Sequence, residues 1–258
     1  MSYQQVPVGN GPQWLIGAVQ LILKNPGPFA LMGLLVAVIA LVPILGALAL
    51  LVLNPALYGG IMYAAREQEA GRTVDFQQLF QAFREEGKLG KMIMLCLPAI
   101  AAAVAIGVLA VVFFGGALWG AIASGASESA VGASLGVSAL IFAPLALAIG
   151  LISFALTFFA TPRVMLAGVE PIAAMKDSVG ACIANVGPVL VFALLLLGAA
   201  IVLGITIGLI PLVGGVALTT ALVPVFSVAS YLAWRQVYRN DITQELPASP
   251  PPPPSAAA

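Results

Sequence analysis

Histidine is absent from this chain of 258 residues, and charge is scarce, with ten Lys and Arg and ten Asp and Glu making up 8% of the sequence. The first absence removes the commonest general base and the commonest metal ligand together. The second excludes an ordinary soluble domain, which carries about 25% charged residues because its surface must be solvated. With 61% hydrophobic residues and a mean hydropathy of +1.09, the chain can cover itself against lipid but not against water. Only two cysteines occur, Cys96 and Cys182, each in or beside an apolar segment, and both are expected to be buried small hydrophobes. No cleavable signal peptide is expected, because the apolar stretch 14–23 is followed by Lys24-Asn25-Pro26 rather than by a small-residue cleavage site. The glycine pairs Gly59-Gly60 and Gly115-Gly116 are not phosphate loops, since no Gly-Lys-Ser/Thr follows them.

What is present is a set of long apolar runs. A bilayer core about 30 Å thick needs roughly 20 apolar helical residues. Six stretches meet or approach that length, at residues 28–45, 47–65, 89–116, 134–160, 186–209 and 214–238. The first two are near the lower limit and could instead form a hairpin that re-enters its own side, but their total apolar length favours crossing. Every Lys and Arg falls between pairs of these stretches, within their near-side ends or toward the chain ends: Lys24; Arg66, Arg72, Arg84, Lys88 and Lys91; Arg163 and Lys176; Arg235 and Arg239. The connections within each pair (43–46, 117–133 and 210–214) carry no basic residue and one acidic residue, Glu128. Basic residues concentrate on the cytoplasmic side of membrane proteins, so both ends are expected there, on what is called the near side below. Trp119 is expected to anchor the far interface, and Tyr58, Tyr63, Tyr231, Trp234 and Tyr238 the near one. No Asp, Glu, Lys or Arg lies in the middle of a span. Ionisable groups at membrane depth usually mark ion paths or coupling sites, so their absence argues against a proton-coupled pump or an intramembrane enzyme.

The near-side segments carry their own pattern. Phe76, Leu79, Phe80 and Phe83 recur at i, i+3, i+4 and i+7 within residues 75–86, which predicts an amphipathic helix lying in the interfacial plane with its rings among the acyl chains. Ile172, Met175, Val179 and Ile183 make a second stripe behind Glu170 and Pro171, and Trp14, Leu15, Ala18 and Ile22 a third. Each precedes a pair of spans. Asn25-Pro26-Gly27-Pro28 corresponds to Asn185-Val186-Gly187-Pro188, and Val42-Pro43-Ile44-Leu45-Gly46 to Ile210-Pro211-Leu212-Val213-Gly214. The expected architecture is therefore an all-α polytopic bundle of six transmembrane helices, arranged as three units of interfacial helix plus hairpin. A polar segment (1–11) precedes the membrane domain (12–240), and a Pro-rich, disordered tail (241–258) follows it. Gly198, Gly204 and Gly208, with Ala101, Ala102 and Ala105, are expected to let helices approach closely.

The stretch Asn54-Pro55-Ala56-Leu57-Tyr58-Gly59-Gly60, and later Phe158-Phe159-Ala160-Thr161-Pro162-Arg163 with Ala174-Met175-Lys176-Asp177-Ser178, resemble a poorly characterised family of six-span bacterial inner-membrane proteins. That family is related to the membrane domain found with some glycerophosphodiester phosphodiesterases. The resemblance implies fold and location; no phosphodiesterase catalytic domain is present to carry an activity over. The expected protein is not an enzyme and takes no cofactor. It is a scaffold, assembly or lipid-interacting component whose partners are membrane lipids, a membrane protein or further copies of itself, and not nucleic acid. Arg163 and Lys176 are the candidate ligands for an anionic lipid headgroup, against a simpler role in anchoring topology and local ion pairing. Asn54, before Pro55, is expected either to bond a carbonyl freed by the proline or to line a substrate site. The alternative function, a transporter or channel for a small neutral or amphiphilic solute, needs a polar cavity built from Asn54, Thr206, Thr219, Thr220, Ser227 and Ser230.

Overall fold

In the computed structural model, residues 3–207, 210 and 213–239 are described. The tail (241–258), Gly208 and part of the last far-side turn lie outside them. Every regular element among the described residues is helical. Helix α1 (Asn10–Lys24) meets α2 (Pro26–Ala40) at Asn25 with a bend of 109°. The non-helical backbone of Asn25 (φ −150°, ψ 76°) breaks the helix, and Pro26 at the first position of α2 starts the next one. After α3 (Leu45–Glu69) come a 3-10 turn (Phe76–Phe80), the single turn α4 (Gln81–Arg84) and α5 (Lys88–Met94). Helix α6 (Leu97–Ala110) continues through a π-helical turn (Val111–Gly115) into α7 (Gly116–Ala123). Then follow α8 (Glu128–Thr157), α9 (Ala160–Ala167), α10 (Pro171–Ala184), α11 (Val186–Thr206) and α12 (Val213–Val237).

Five helical segments are long and apolar enough to cross a membrane: Leu45–Glu69, Lys88–Ala123, Glu128–Ala167, Val186–Thr206 and Val213–Val237. These make the chain a membrane-embedded, multi-pass helical protein. Helix α2, at 15 residues, reaches only about 22 Å by itself and falls short of the length a span requires. The connection expected at 117–133 shrinks to residues 124–127, because the Ser127 hydroxyl accepts the Ala130 N–H and Glu128 occupies the positive end of the helix dipole. Gly125 makes that short turn at φ +62°. The paired stretch 75–86 is likewise not one α-helix. Its 3-10 start places Leu79 and Ala82 against the core and leaves Phe76, Phe80 and Phe83 turned outward.

The core is confined to one end. In α3 the buried side chains run from Ala56 to Glu67, and in α12 mainly from Pro224 to Val237. Helix α11 buries only Pro188, Val189 and Phe192 near its start, α6 buries nothing, and α8 buries Ser138 alone. That end is the one bearing the basic residues. Lipid supplies no hydrophobic drive between helices, so close backbone approach and polar contacts must hold them. Gly33 and Gly60 provide the approach: a Cβ at either would fall on a backbone carbonyl, of Thr220 on α12 and of Leu79 in the 3-10 turn. Gly198 and Gly204 do not serve this purpose, since a Cβ at either meets nothing within 4 Å. They lie on the outer half of α11, which buries no residue. The short near-side elements pack chiefly on hairpins other than their own. Helix α1 lies on α11 and α12, the 3-10 turn on α3 and α2, and α10 on α8 and α9.

Candidate functional site

Two places concentrate polar side chains. The first is the near-side end, where the break between α8 and α9 is spliced by α10. The Ser178 hydroxyl accepts the Phe159 N–H at 3.0 Å and donates to the Ala155 carbonyl at 2.6 Å, so backbone groups freed by the break are satisfied. Small residues make this fit possible, for α10 buries Ala174, Ser178, Ala181 and Cys182 and leaves Ile172 and Ile183 exposed. Burial pushes the Cys182 thiol up to about 12. The break orients α9 so that Arg163 is enclosed. Its guanidinium sits 4.4 Å above the Tyr238 ring and 3.2 Å from the Asp177 carboxylate. Tyr238 is held edge-on by Phe159 and Tyr3, and burial raises its hydroxyl above the usual tyrosine range. Lys176, by contrast, is exposed on α10. The two candidate headgroup ligands therefore differ in setting: Arg163 is engaged inside the protein, and Lys176 lies on open surface.

A second near-side network was not foreseen. The Gln236 side-chain carbonyl accepts from Trp14 Nε1 at 2.7 Å and from Asn10 Nδ2 at 2.9 Å. Asn185 accepts the Val6 N–H and donates to the Gln4 and Ala181 carbonyls, and the Gln4 N–H bonds the Val237 carbonyl. The segment before α1 is thereby strapped across the α10–α11 elbow and the end of α12. Ion pairs add to it: Glu69 with Arg235, Glu67 with Arg72, Lys88 with Glu85, and Lys91 with Glu170 at 2.6 Å. Partly exposed pairs contribute about 0–1 kcal/mol each, so they set orientation more than stability. Among these strap residues Asn185 carried a signal in sequence through its recurrence with Asn25, and Trp14 through its apolar stripe.

The second place lies within the bundle. Asn54 and Tyr58 sit one turn apart on α3 and line a cavity of about 230 Å³ with Thr157, Thr161, Phe226 and Ser230. Asn54 makes no hydrogen bond among the described residues, so it does not cap the proline break, and its Oδ1 is buried without a partner. The hydroxyls of Thr157, Thr161 and Ser230 each donate to the carbonyl four residues earlier, as do those of Thr206, Thr219 and Ser227. Thr220 differs from them, its hydroxyl being buried without a partner among the described residues. Tyr58 is also no interface anchor: it is 11 residues, about 16 Å of helix, from the Glu69 level and packs edge-on against Phe226. Among the described residues no group of three or more His, Cys, Asp or Glu could hold a metal ion, and both cysteines are free and buried. No family model, curated protein or solved structure matches the chain.

Proposed function

We propose that this is a non-catalytic, multi-pass protein of the bacterial inner membrane whose cytoplasmic end is a rigid, lipid-interacting scaffold. The observation that carries this is the concentration of core, hydrogen bonds and ion pairs at the basic end, while α6 buries no residue, α8 buries Ser138 alone and α11 buries none beyond Phe192. A transporter would need its built site between the spans. A scaffold needs a stable surface at the membrane face, and outward-turned Phe76, Phe80, Phe83, Ile172 and Ile183 suit insertion among acyl chains beside it. Exposed Lys176 and Lys24 sit where anionic headgroups would lie. Arg163 acts differently, orienting α9 on α10 through Asp177 and Tyr238.

The same packing supports three units of near-side element plus hairpin. Each near-side element leans on the hairpin of another unit, first on third, second on first and third on second, which is the cyclic order expected of a threefold-repeated membrane helix bundle. Six crossings then require α2 to complete its span with the turn that follows it. The test is native mass spectrometry after extraction in mild detergent. Retained anionic phospholipid, reduced when Lys24 and Lys176 are changed to Gln, is the expected result. A bare monomer without lipid or partner overturns the proposal.

A further inference from the structure

Three cavities meet at Tyr58. Besides the one shared with Asn54 and Ser230, one of about 310 Å³ lies between α3, α11 and α12, lined by Leu196, Ala200 and Leu222. Another of about 340 Å³ lies between α2, α3 and α12 and is again lined by Asn54 and Tyr58. Together they are in the size range of sites for small organic ligands. Their walls are mostly aliphatic and aromatic, the hydroxyls of Thr157, Thr161, Thr219 and Ser230 are bonded to carbonyls of the chain four residues back, and no Asp, Glu, Lys or Arg lines any of them. An ionised ligand would lose its hydration with nothing in exchange, so a bound molecule must be neutral.

The polar groups define the rest. The Asn54 amide and the Tyr58 hydroxyl have no hydrogen-bond partner among the described residues, and Asn54 Oδ1 is cut off from solvent. Asn54 lies nine residues, about 13 Å of helix, from the start of α3 at Leu45. It is therefore near the middle of a bilayer core about 30 Å thick, where phospholipid ester groups do not reach. Helical side chains lean toward the helix N-terminus, so the ring of Tyr58 reaches back over the turn that carries Asn54. A group that satisfies Asn54 Oδ1 must donate to it, and the Tyr58 O–H can donate to that same group. One hydroxyl does both.

We propose that Asn54 and Tyr58 form a binding site for the hydroxyl of a neutral long-chain lipid alcohol, whose apolar chain lies in the cleft between α3, α11 and α12. Entry is lateral from the bilayer, through the open side of the cleft that Leu196, Ala200 and Leu222 line. The site stands independently of the near-side scaffold, and neither observation is needed for the other.

The experiment uses the full chain in phosphatidylcholine vesicles with a photoactivatable, alkyne-tagged long-chain primary alcohol and its methyl ether, followed by mapping of the labelled peptides. The alcohol is expected to label α3 and α12 about five-fold more than the ether, the ratio that one hydrogen bond of ordinary net strength supplies. Tyr58→Phe, which removes one atom, and Asn54→Leu, which keeps the volume, are each expected to bring alcohol labelling down toward the ether level. Labelling by the ether should not change in Asn54→Leu, which shows that the cleft is still formed, and should fall in Tyr58→Phe, because the ether oxygen also accepts from Tyr58. Equal labelling by alcohol and ether overturns the proposal, as does full alcohol labelling in both variants.

Discussion

Replacing Gln236 by Leu isolates the strap that closes the near-side end. In the folded protein its side-chain carbonyl receives two hydrogen bonds, from Trp14 Nε1 at 2.7 Å and Asn10 Nδ2 at 2.9 Å. Trp14 has no exposed surface, so its indole N–H cannot find water once the acceptor is gone. An unmade hydrogen bond from such a group costs about 1–3 kcal/mol. Asn10 is only half buried and can turn to solvent, so its loss adds less. The bond from Gln4 to the Gln236 backbone carbonyl survives the change. Gln236→Leu should therefore destabilise by about 2–3 kcal/mol, whereas Gln236→Glu, which retains an acceptor, should stay within about 1 kcal/mol of the parent. The measurement is reversible unfolding by titration of sodium dodecyl sulfate into mixed micelles, followed by circular dichroism. In a Trp14→Phe background the Leu substitution should cost about 1 kcal/mol less, because no N–H remains to be orphaned. An equal penalty in both backgrounds would refute the reasoning, as would a loss under about 0.5 kcal/mol for Gln236→Leu alone.

Helix docking gives a second contrast. A Cβ at Gly11 would stand 2.6 Å from the Pro188 carbonyl oxygen and 3.1 Å from the Phe192 nitrogen, both backbone atoms that cannot turn aside. Gly11→Ala should lower stability by about 1–3 kcal/mol in the same titration, despite alanine's better helix propensity. Gly198→Ala, with nothing in reach, should be neutral or slightly stabilising. At Glu85, burial works to raise the carboxyl, but hydrogen bonds from Lys88 and Gln81 outweigh it and hold the group below its ordinary value. The stabilisation is then present above the unfolded carboxylate pKa and lost as pH falls through the folded one. Hydrogen exchange in residues 81–88 should accelerate in that acid window, and Lys88→Met should weaken the dependence. For topology, a cysteine introduced at Glu128 should react with an impermeant maleimide from outside intact cells, over a low background because Cys96 and Cys182 are buried. One introduced at Lys176 should react only after permeabilisation. The reverse pattern would invert the assigned orientation.

Much of the fold was written in one-dimensional signals. Scarce charge and long apolar runs determined a helical membrane protein, since a backbone in lipid must satisfy its own hydrogen bonds. The prolines and asparagines at 25–28 and 185–188 marked the two elbows, because a helix that breaks at a cap and restarts at Pro has a local chemistry of its own. Large apolar stripes near Trp14, Phe76 and Ile172 marked the near-side elements. Their faces were not readable in the same way. Trp14 turns into the protein, whereas Ile172 and Ile183 turn away from it while small Ala174, Ser178 and Ala181 fill the core. In lipid, apolar side chains gain nothing by facing protein, so size and complementarity decide, and these are properties of pairs of helices.

The candidate sites divide along the same line. The sequence by itself determined where charge could not be, and so that any intramembrane site must be neutral. It singled out Asn54 and Arg163 but left each with two roles. Only the tertiary structure supplied their surroundings: Arg163 is enclosed by Asp177 and Tyr238, and Asn54 is left unpaired beside Tyr58 in a cleft. It alone also decided that the core gathers at the basic end and that Gln236 ties Trp14 to α12. The physical reason is that a partner's position across 222 residues of chain is set by the packing of whole helices, and no local propensity encodes it.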